Sequence, residues 1–237
     1  MSVPCPEAGP VAPAAPDAVE SDTTQIVLFD FDGVLIHGDA FYLFMRERYS
    51  RAWWRRLLAL PSTPLLLLQF PFSRRLPARL LVRIALLGLG ERRYQDTANA
   101  FAATLARRPK QFCRDGLQAL RRHHALGDRV IVVTGCEHHL VSGILRELGL
   151  AGFEVFASRL GPGWLGMRPQ WHNVGQHKVQ SLAKQGITAW RVAYGDSLHD
   201  VAMLRVATEA VLVNATPTLC KKVEKILGRT VARVEWW

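Results

Sequence analysis

Four short runs with almost no polar residue constrain what this chain can fold into: residues 26–29 (Ile26, Val27, Leu28, Phe29), 130–133, 192–194 and 211–213. None alternates polar with apolar side chains, so each reads as a strand covered on both faces. Between them the apolar spacing is helical. Leu117, Leu120 and Ala125 fall in one such stretch, and Leu140, Val141, Ile144, Leu145 and Leu148 in another. Strands alternating with helices predict an α/β fold, a doubly wound parallel sheet with helices on both faces. Ligands of such sheets gather at the carboxyl ends of the strands.

That rule gives meaning to the acidic residues. The first run is followed at once by Asp30-Phe31-Asp32-Gly33-Val34, and the third by Gly195-Asp196-Ser197-Leu198-His199-Asp200. Carboxylates two apart on an extended segment point the same way. Three or four of them gathered at one point repel strongly unless a cation sits among them, and an all-oxygen site suits Mg²⁺. The second run ends in Thr134-Gly135, a hydroxyl and a flexible amide at an expected helix start, where an anion is readily held. Lys178, at another helix start (Gly175-Gln176-His177-Lys178), supplies a positive charge for the same anion. Taken singly, an Asp-x-Asp is most often a turn, Thr-Gly a helix cap and a lysine a solvated side chain. Their order along one α/β pattern is what points to phosphoryl transfer.

The charge is unevenly placed. The formal net charge is +10, yet residues 41–110 alone carry fourteen Lys and Arg against Glu47, Glu91 and Asp96, a net +11. This stretch holds Trp53, Trp54, Leu65–Leu68, Phe70 and Phe72, is broken by Pro61, Pro64, Pro71 and Pro77, and contains no uninterrupted apolar run long enough to span a bilayer. It is read as a basic helical cap, residues 39–110, inserted into a core formed by 25–38 and 111–237. Its leucines either fill a helical bundle or face a membrane interface. The same cations would suit nucleic acid, but no known binding pattern accompanies them. Residues 1–24, rich in Pro and Ala, read as a disordered arm without a secretory signal. The scattered Cys5, Cys113, Cys136 and Cys220 form no paired motif, which favours a reducing cytoplasm over a zinc site or disulfide framework. His123-His124 and His138-His139 are adjacent pairs, expected at the surface; His199 is assigned no role.

With these residues in view, the sequence resembles the haloacid dehalogenase superfamily. DFDGV at 30–34 resembles its first motif, Thr134-Gly135 the second, Lys178 the third and GDSLHD at 195–200 the fourth. The resemblance implies that Asp30 attacks phosphorus to give an aspartyl-phosphate. It implies that Asp32 protonates the leaving oxygen and then deprotonates water. Mg²⁺ would be held by the carboxylates of Asp30 and Asp196 and the backbone carbonyl of Asp32, with Asp200 supporting the metal or Lys178. Thr134, the Gly135 amide and Lys178 would bind phosphate. A cap between the first two motifs is similar to the phosphoserine phosphatase branch. Asp39, the leucine- and proline-rich cap and the stretch from Ala157-Ser158 through Gly163-Trp164 to Lys178-Val179 resemble the phosphatidylglycerophosphatase C type. Asp39 either touches substrate or organises the cap. Val34 stands where the family's phosphatases commonly have threonine, which leaves a mutase-like branch open.

The sequence therefore predicts a Mg²⁺-dependent phosphatase acting on a phosphate monoester, either a lipid such as phosphatidylglycerophosphate met at the inner face of the cytoplasmic membrane, or a small ester such as phosphoserine or a sugar phosphate. A non-catalytic protein binding anionic membranes or nucleic acid on the same fold is the third reading. Oligomeric state is not legible.

Overall fold

The computed structural model describes residues 25–60 and 75–237, with side chains from residue 79 onward in the second stretch. The expected arm at 1–24 and the cap residues Leu65–Leu68, Phe70 and Phe72 lie outside it. Seven strands form one sheet in the order β4-β3-β2-β1-β5-β6-β7. The four apolar runs are its centre: β1 (Ile26–Phe29), β2 (Arg129–Glu137), β5 (Val192–Gly195) and β6 (Glu209–Val213). β1 pairs in parallel with β2 on one side and β5 on the other, and Val27, Leu28 and Phe29 are fully buried.

The remaining strands were not legible. β3 (Glu154–Gly161) is parallel to β2 but interrupts its apolar residues with Ser158 and Arg159. β4 (Arg168–Trp171) carries Pro169 and three exposed residues, and it pairs antiparallel with β3 at the sheet edge, where proline costs no ladder hydrogen bond. β7 (Ala232–Val234) is a three-residue parallel addition at the other edge. The sheet is thus parallel except for one edge strand.

Helices fill the connections. Among the described residues, five follow β1 before the chain returns to the sheet: α1 (Ala40–Arg51), α2 (Trp53–Ala59), α3 (Arg75–Ala85), α4 (Glu91–Ala106) and α5 (Arg114–Ala125). Then come α6 (His138–Glu147), α7 (Gln176–Ala183), α8 (Val201–Val206) and α9 (Pro217–Leu227). The insertion does not sit apart from the core. Phe44 meets Tyr94 and Phe101 edge-on, with ring centres 6.0 and 5.3 Å apart, and all three belong to one apolar cluster with Val27, Phe29 and the buried face of α6. Such edge-to-face pairs add about 0.5–1.5 kcal/mol beyond burial. At this seam Tyr94, fully buried, donates its hydroxyl to Glu137 Oε2 at 2.5 Å.

Candidate active site

Asp30 follows the last residue of β1, and its backbone amide bonds the carbonyl of Tyr194 in β5. The loops after β1 and β5 are therefore tied together where both acidic motifs begin. Gly33 explains the tightness of that meeting. Its φ of +75° suits glycine, and a Cβ there would lie 1.9 Å from Asp196 Oδ2. Gly195 is equally confined, because a Cβ would come within 2.5 Å of the Asp200 Cβ.

Lys178, delivered by the first turn of α7, is buried beside these loops. Its Nζ lies 2.6 Å from Asp200 Oδ1 and 3.0 Å from Asp30 Oδ2. Asp200 Oδ2 accepts from the amides of Asp196 (3.2 Å) and Ser197 (3.1 Å) and from Ser197 Oγ (3.0 Å). Both oxygens of Asp200 are thus committed, and it acts as the brace of Lys178. Burial opposes both charges, but their mutual attraction prevails. The Lys178 pKa is raised above its ordinary value by Asp30 and Asp200, while Lys178 holds the Asp200 carboxyl below the usual range.

Asp30, Asp196 and Asp200 each present a carboxylate oxygen within 4.8 Å of the others. Asp30 accepts from the Phe31 amide at 2.7 Å. Burial and the Asp200 charge push its carboxyl well above the usual range despite Lys178. Asp196 is raised to about 6 by burial and by Asp200. Asp32, two residues along from Asp30, is raised to about 7 by burial and by the neighbouring charge of Asp39, against the pull of the Ala40 amide, which donates to its Oδ1 at 2.8 Å. Three carboxylates raised together form an environment short of positive charge, and an all-oxygen donor set of this size fits a hard divalent cation.

Thr134 and Gly135 approach from β2. Thr134 is fully buried, and its Oγ1 lies 3.5 Å from Asp32 Oδ2 and accepts from the Cys136 amide at 3.0 Å. The expected helix start at this point is displaced. β2 continues through a bulge between Val133 and Glu137, and α6 begins only at His138 with Glu137 as its cap. Glu137 takes the capping role because its carboxylate accepts from the Leu140 amide at 3.0 Å. Asp39 lies exposed at the start of α1 and caps it, accepting from the Tyr42 amide at 2.7 Å. It meets the acidic cluster through its charge on Asp32 rather than by contact. Val34 is buried in the core and presents no hydroxyl.

Sequence reasoning missed the supports. Buried Asn173 donates to the carbonyls of Thr134 (3.3 Å) and Phe156 (2.9 Å) and accepts from Ser181 Oγ (2.9 Å). Ser158 donates to the Gly135 carbonyl at 2.6 Å and accepts from the Asn173 amide. Together they fix the bulged Thr134-Gly135 segment of β2. The only sequence signal for Asn173 was its place five residues before Lys178. His123, expected at the surface, is instead half-buried and bridges Asp128 (2.7 Å) and the Tyr194 hydroxyl (3.0 Å). His199 is exposed, and Cys136 is buried with its thiol pKa pushed up by that burial.

A mostly parallel α/β sheet with helices inserted after β1 and acidic loops meeting at its strand ends defines the class by fold and site: an α/β protein with a carboxylate-rich site. Residues 27–205 match the model of the haloacid dehalogenase-like hydrolase family, and the chain belongs to that family. Across 132 residues it is 32% identical to a Mycobacterium leprae (strain TN) protein named "Putative hydrolase ML2424", a match covering 51% of this chain and 39% of that one. The chain therefore spans well under half the length of that relative. A protein of unknown function from Bordetella pertussis Tohama I is similar in structure, with a TM-score of 0.67, 22% identity and coverage of 89% of this chain and 99% of the other. A substrate-bound phosphoserine phosphatase is similar with a TM-score of 0.55, 18% identity and coverage of 89% and 92%. At these identities the likeness establishes the fold. Among the described residues no helix is long and apolar enough to cross a membrane.

Proposed function

We propose that the chain is a Mg²⁺-dependent phosphatase that hydrolyses a phosphate monoester through an aspartyl-phosphate on Asp30. The observation that carries this reading is the buried Asp30 carboxylate, 3.0 Å from Lys178 Nζ and grouped with Asp196 and Asp200. The carboxylates of Asp30 and Asp196 and the carbonyl of Asp32 would hold Mg²⁺, which, when bound, offsets the negative charge of both the phosphoryl group and the carboxylates.

In the first step Asp30 attacks phosphorus, and the bond from phosphorus to the leaving oxygen breaks. Lys178, the Thr134 hydroxyl and the Gly135 amide steady the transferring oxygens. Asp32, raised to about 7, is protonated in about half of the molecules at neutral pH and in that form gives its proton to the leaving oxygen. In the second step Asp32 takes a proton from water, which attacks phosphorus and releases Asp30. A group that must serve as acid and then base works best with a pKa near the working pH. Asp39 helps set that value by its charge.

The substrate we favour is a lipid phosphate monoester such as phosphatidylglycerophosphate. The basic cap supports this, as does the resemblance to the phosphatidylglycerophosphatase C type, and attachment would be peripheral on the inner face of the cytoplasmic membrane. A small ester is the second reading, supported by structural neighbours named as phosphoserine phosphatases. Phosphate release from a panel of monoesters, with and without Mg²⁺ and including phosphatidylglycerophosphate in mixed micelles, tests both. Metal-dependent turnover concentrated on the lipid is expected. Turnover of small esters only would discard the lipid, and no turnover of any ester would discard the phosphatase.

A further inference from the structure

Helix α2 is built inside out. Going round it at 100° per residue, Trp53, Trp54, Leu57, Leu58 and the following Leu60 fall within an arc of about 160°, and this arc faces solvent. Trp53 is 70% exposed, Leu60 60% and Leu57 50%. The opposite side holds Arg55, which is only 7% exposed. Arg55 donates to the Arg48 carbonyl at 3.2 Å and lies 4.6 Å over the Trp54 ring, while its buried Nε has no hydrogen-bond partner among the described residues. Water-facing helices do the reverse, keeping arginine out and large apolar side chains in. A contiguous exposed arc of two tryptophans and three leucines marks a surface that something apolar covers.

The charge around it says what kind of cover. Helices α1, α2 and α3 carry eight arginines and one acid, Glu47, which is already paired with Arg51 at 2.7 Å and Arg108 at 3.2 Å. Arg46, Arg51, Arg56, Arg79 and Arg83 remain exposed. Tryptophan and leucine in the plane of a short helix, rimmed by arginine, suit the boundary between anionic headgroups and acyl chains. A protein partner or a nucleic acid would satisfy one half of this surface: the first explains the apolar arc without the excess of exposed arginines, the second the arginines without the arc.

We propose that the exposed face of α2 is a docking surface for an anionic lipid bilayer, entered by Trp53, Leu57 and Leu60 and rimmed by Arg51 and Arg56. This deepens the function proposed above, resting on it only for the idea that a lipid ester is then met there. The binding itself is independent of catalysis.

The test uses the full chain and vesicles of phosphatidylcholine with a quarter phosphatidylglycerol, read by co-sedimentation and tryptophan emission. Turnover of a water-soluble phosphomonoester is followed in parallel as the measure of an intact active site. The wild type is expected to sediment with these vesicles and not with pure phosphatidylcholine, with a blue-shifted emission. Trp53→Ser with Leu57→Ser is expected to weaken binding at least tenfold and leave soluble-ester turnover unchanged, since neither side chain lies in the core or the acidic cluster. Arg51→Gln with Arg56→Gln is expected to weaken it several-fold and flatten its salt dependence. Unchanged vesicle binding by the Trp53/Leu57 variant would overturn the proposal. So would normal soluble-ester turnover with no vesicle binding, whether the same surface then proved to hold a second copy of the chain or a nucleic acid.

Discussion

Asp196 and Asp200 stand four residues apart on one loop, yet the fold treats them oppositely. Asp200 is fully buried, answered by Lys178 on one oxygen and by the Asp196 and Ser197 amides and the Ser197 hydroxyl on the other, and is held ionised. Asp196 is partly exposed, and burial with the Asp200 charge raises it to about 6. The other loop divides differently: Asp30 is buried against Lys178, yet burial and the Asp200 charge push its carboxyl well above the usual range, and Asp32 is partly exposed and raised to about 7. The Asp200–Lys178 pair is a fixed frame of charges, and the open half, the raised carboxylates around it, is left to exchange protons and take a ligand. A buried pair contributes little net stability when complete, but its remaining member is costly when its partner is removed.

That contrast is broken most severely at the frame. Asp30→Asn is expected to lower turnover by at least about 10³-fold, as loss of a nucleophile does, with little change in melting temperature. Asp200→Ala takes the nearer carboxylate from the buried Lys178 ammonium and leaves Asp30 at 3.0 Å, so it should cost up to about 3–5 kcal/mol and lower the melting temperature by up to roughly 10 °C, read by thermal denaturation. An Asp200→Ala variant as stable as wild type would remove the frame from the account.

In the open half the effects are chemical rather than structural. Asp32→Asn should keep the melting temperature within a few degrees while cutting turnover by about 10²–10⁴-fold, the usual worth of a general acid–base. A pH effect follows from Asp196 and Asp32. Their folded-state pKa values are raised above the ordinary range near 4. The stability this contributes is fully present below that range and is lost as pH rises through about 6 and about 7. Metal-free protein should therefore melt lower at pH 8 than at pH 5. Because cation binding needs those protons gone, Mg²⁺ should raise the melting temperature far more at pH 8 than at pH 5. Equal Mg²⁺ effects at both pH values would contradict the division.

Asp39 gives the smallest effect. Asn keeps a capping oxygen for the Tyr42 amide, so Asp39→Asn should leave α1 intact. Removing the charge that raises Asp32 should move the basic limb of the turnover–pH profile downward. A strong fall in affinity for substrate with no shift in profile would mean instead that Asp39 touches the substrate.

Much of this site was legible because its chemistry sits on the most hydrophobic strands. β1, β2, β5 and β6 are apolar on both faces, so their ends, and with them Asp30, Thr134 and Asp196, could be placed from the chain alone. The edge strands β3, β4 and β7 were hidden because one-sided burial lets them carry Ser158, Arg159 and Pro169. Asn173 and Ser158 were hidden for another reason. Their task is to satisfy backbone groups of Thr134 and Gly135, which depends on which loop the fold brings near, not on any local pattern. The bulge that delays α6 to His138 had no sequence signal beyond Gly135 itself. The inward turn of Arg55 was equally invisible, since composition gives the arginines and tryptophans of the cap but not which way each faces.

The central claim is that Asp30 becomes phosphorylated during turnover. Rapid acid quench of enzyme with Mg²⁺ and a cleaved monoester, followed by peptide mass spectrometry, tests it directly. A phosphoryl adduct on the peptide carrying Asp30, absent from Asp30→Asn, is the predicted result; full turnover by Asp30→Asn, or an adduct on another residue, would contradict it.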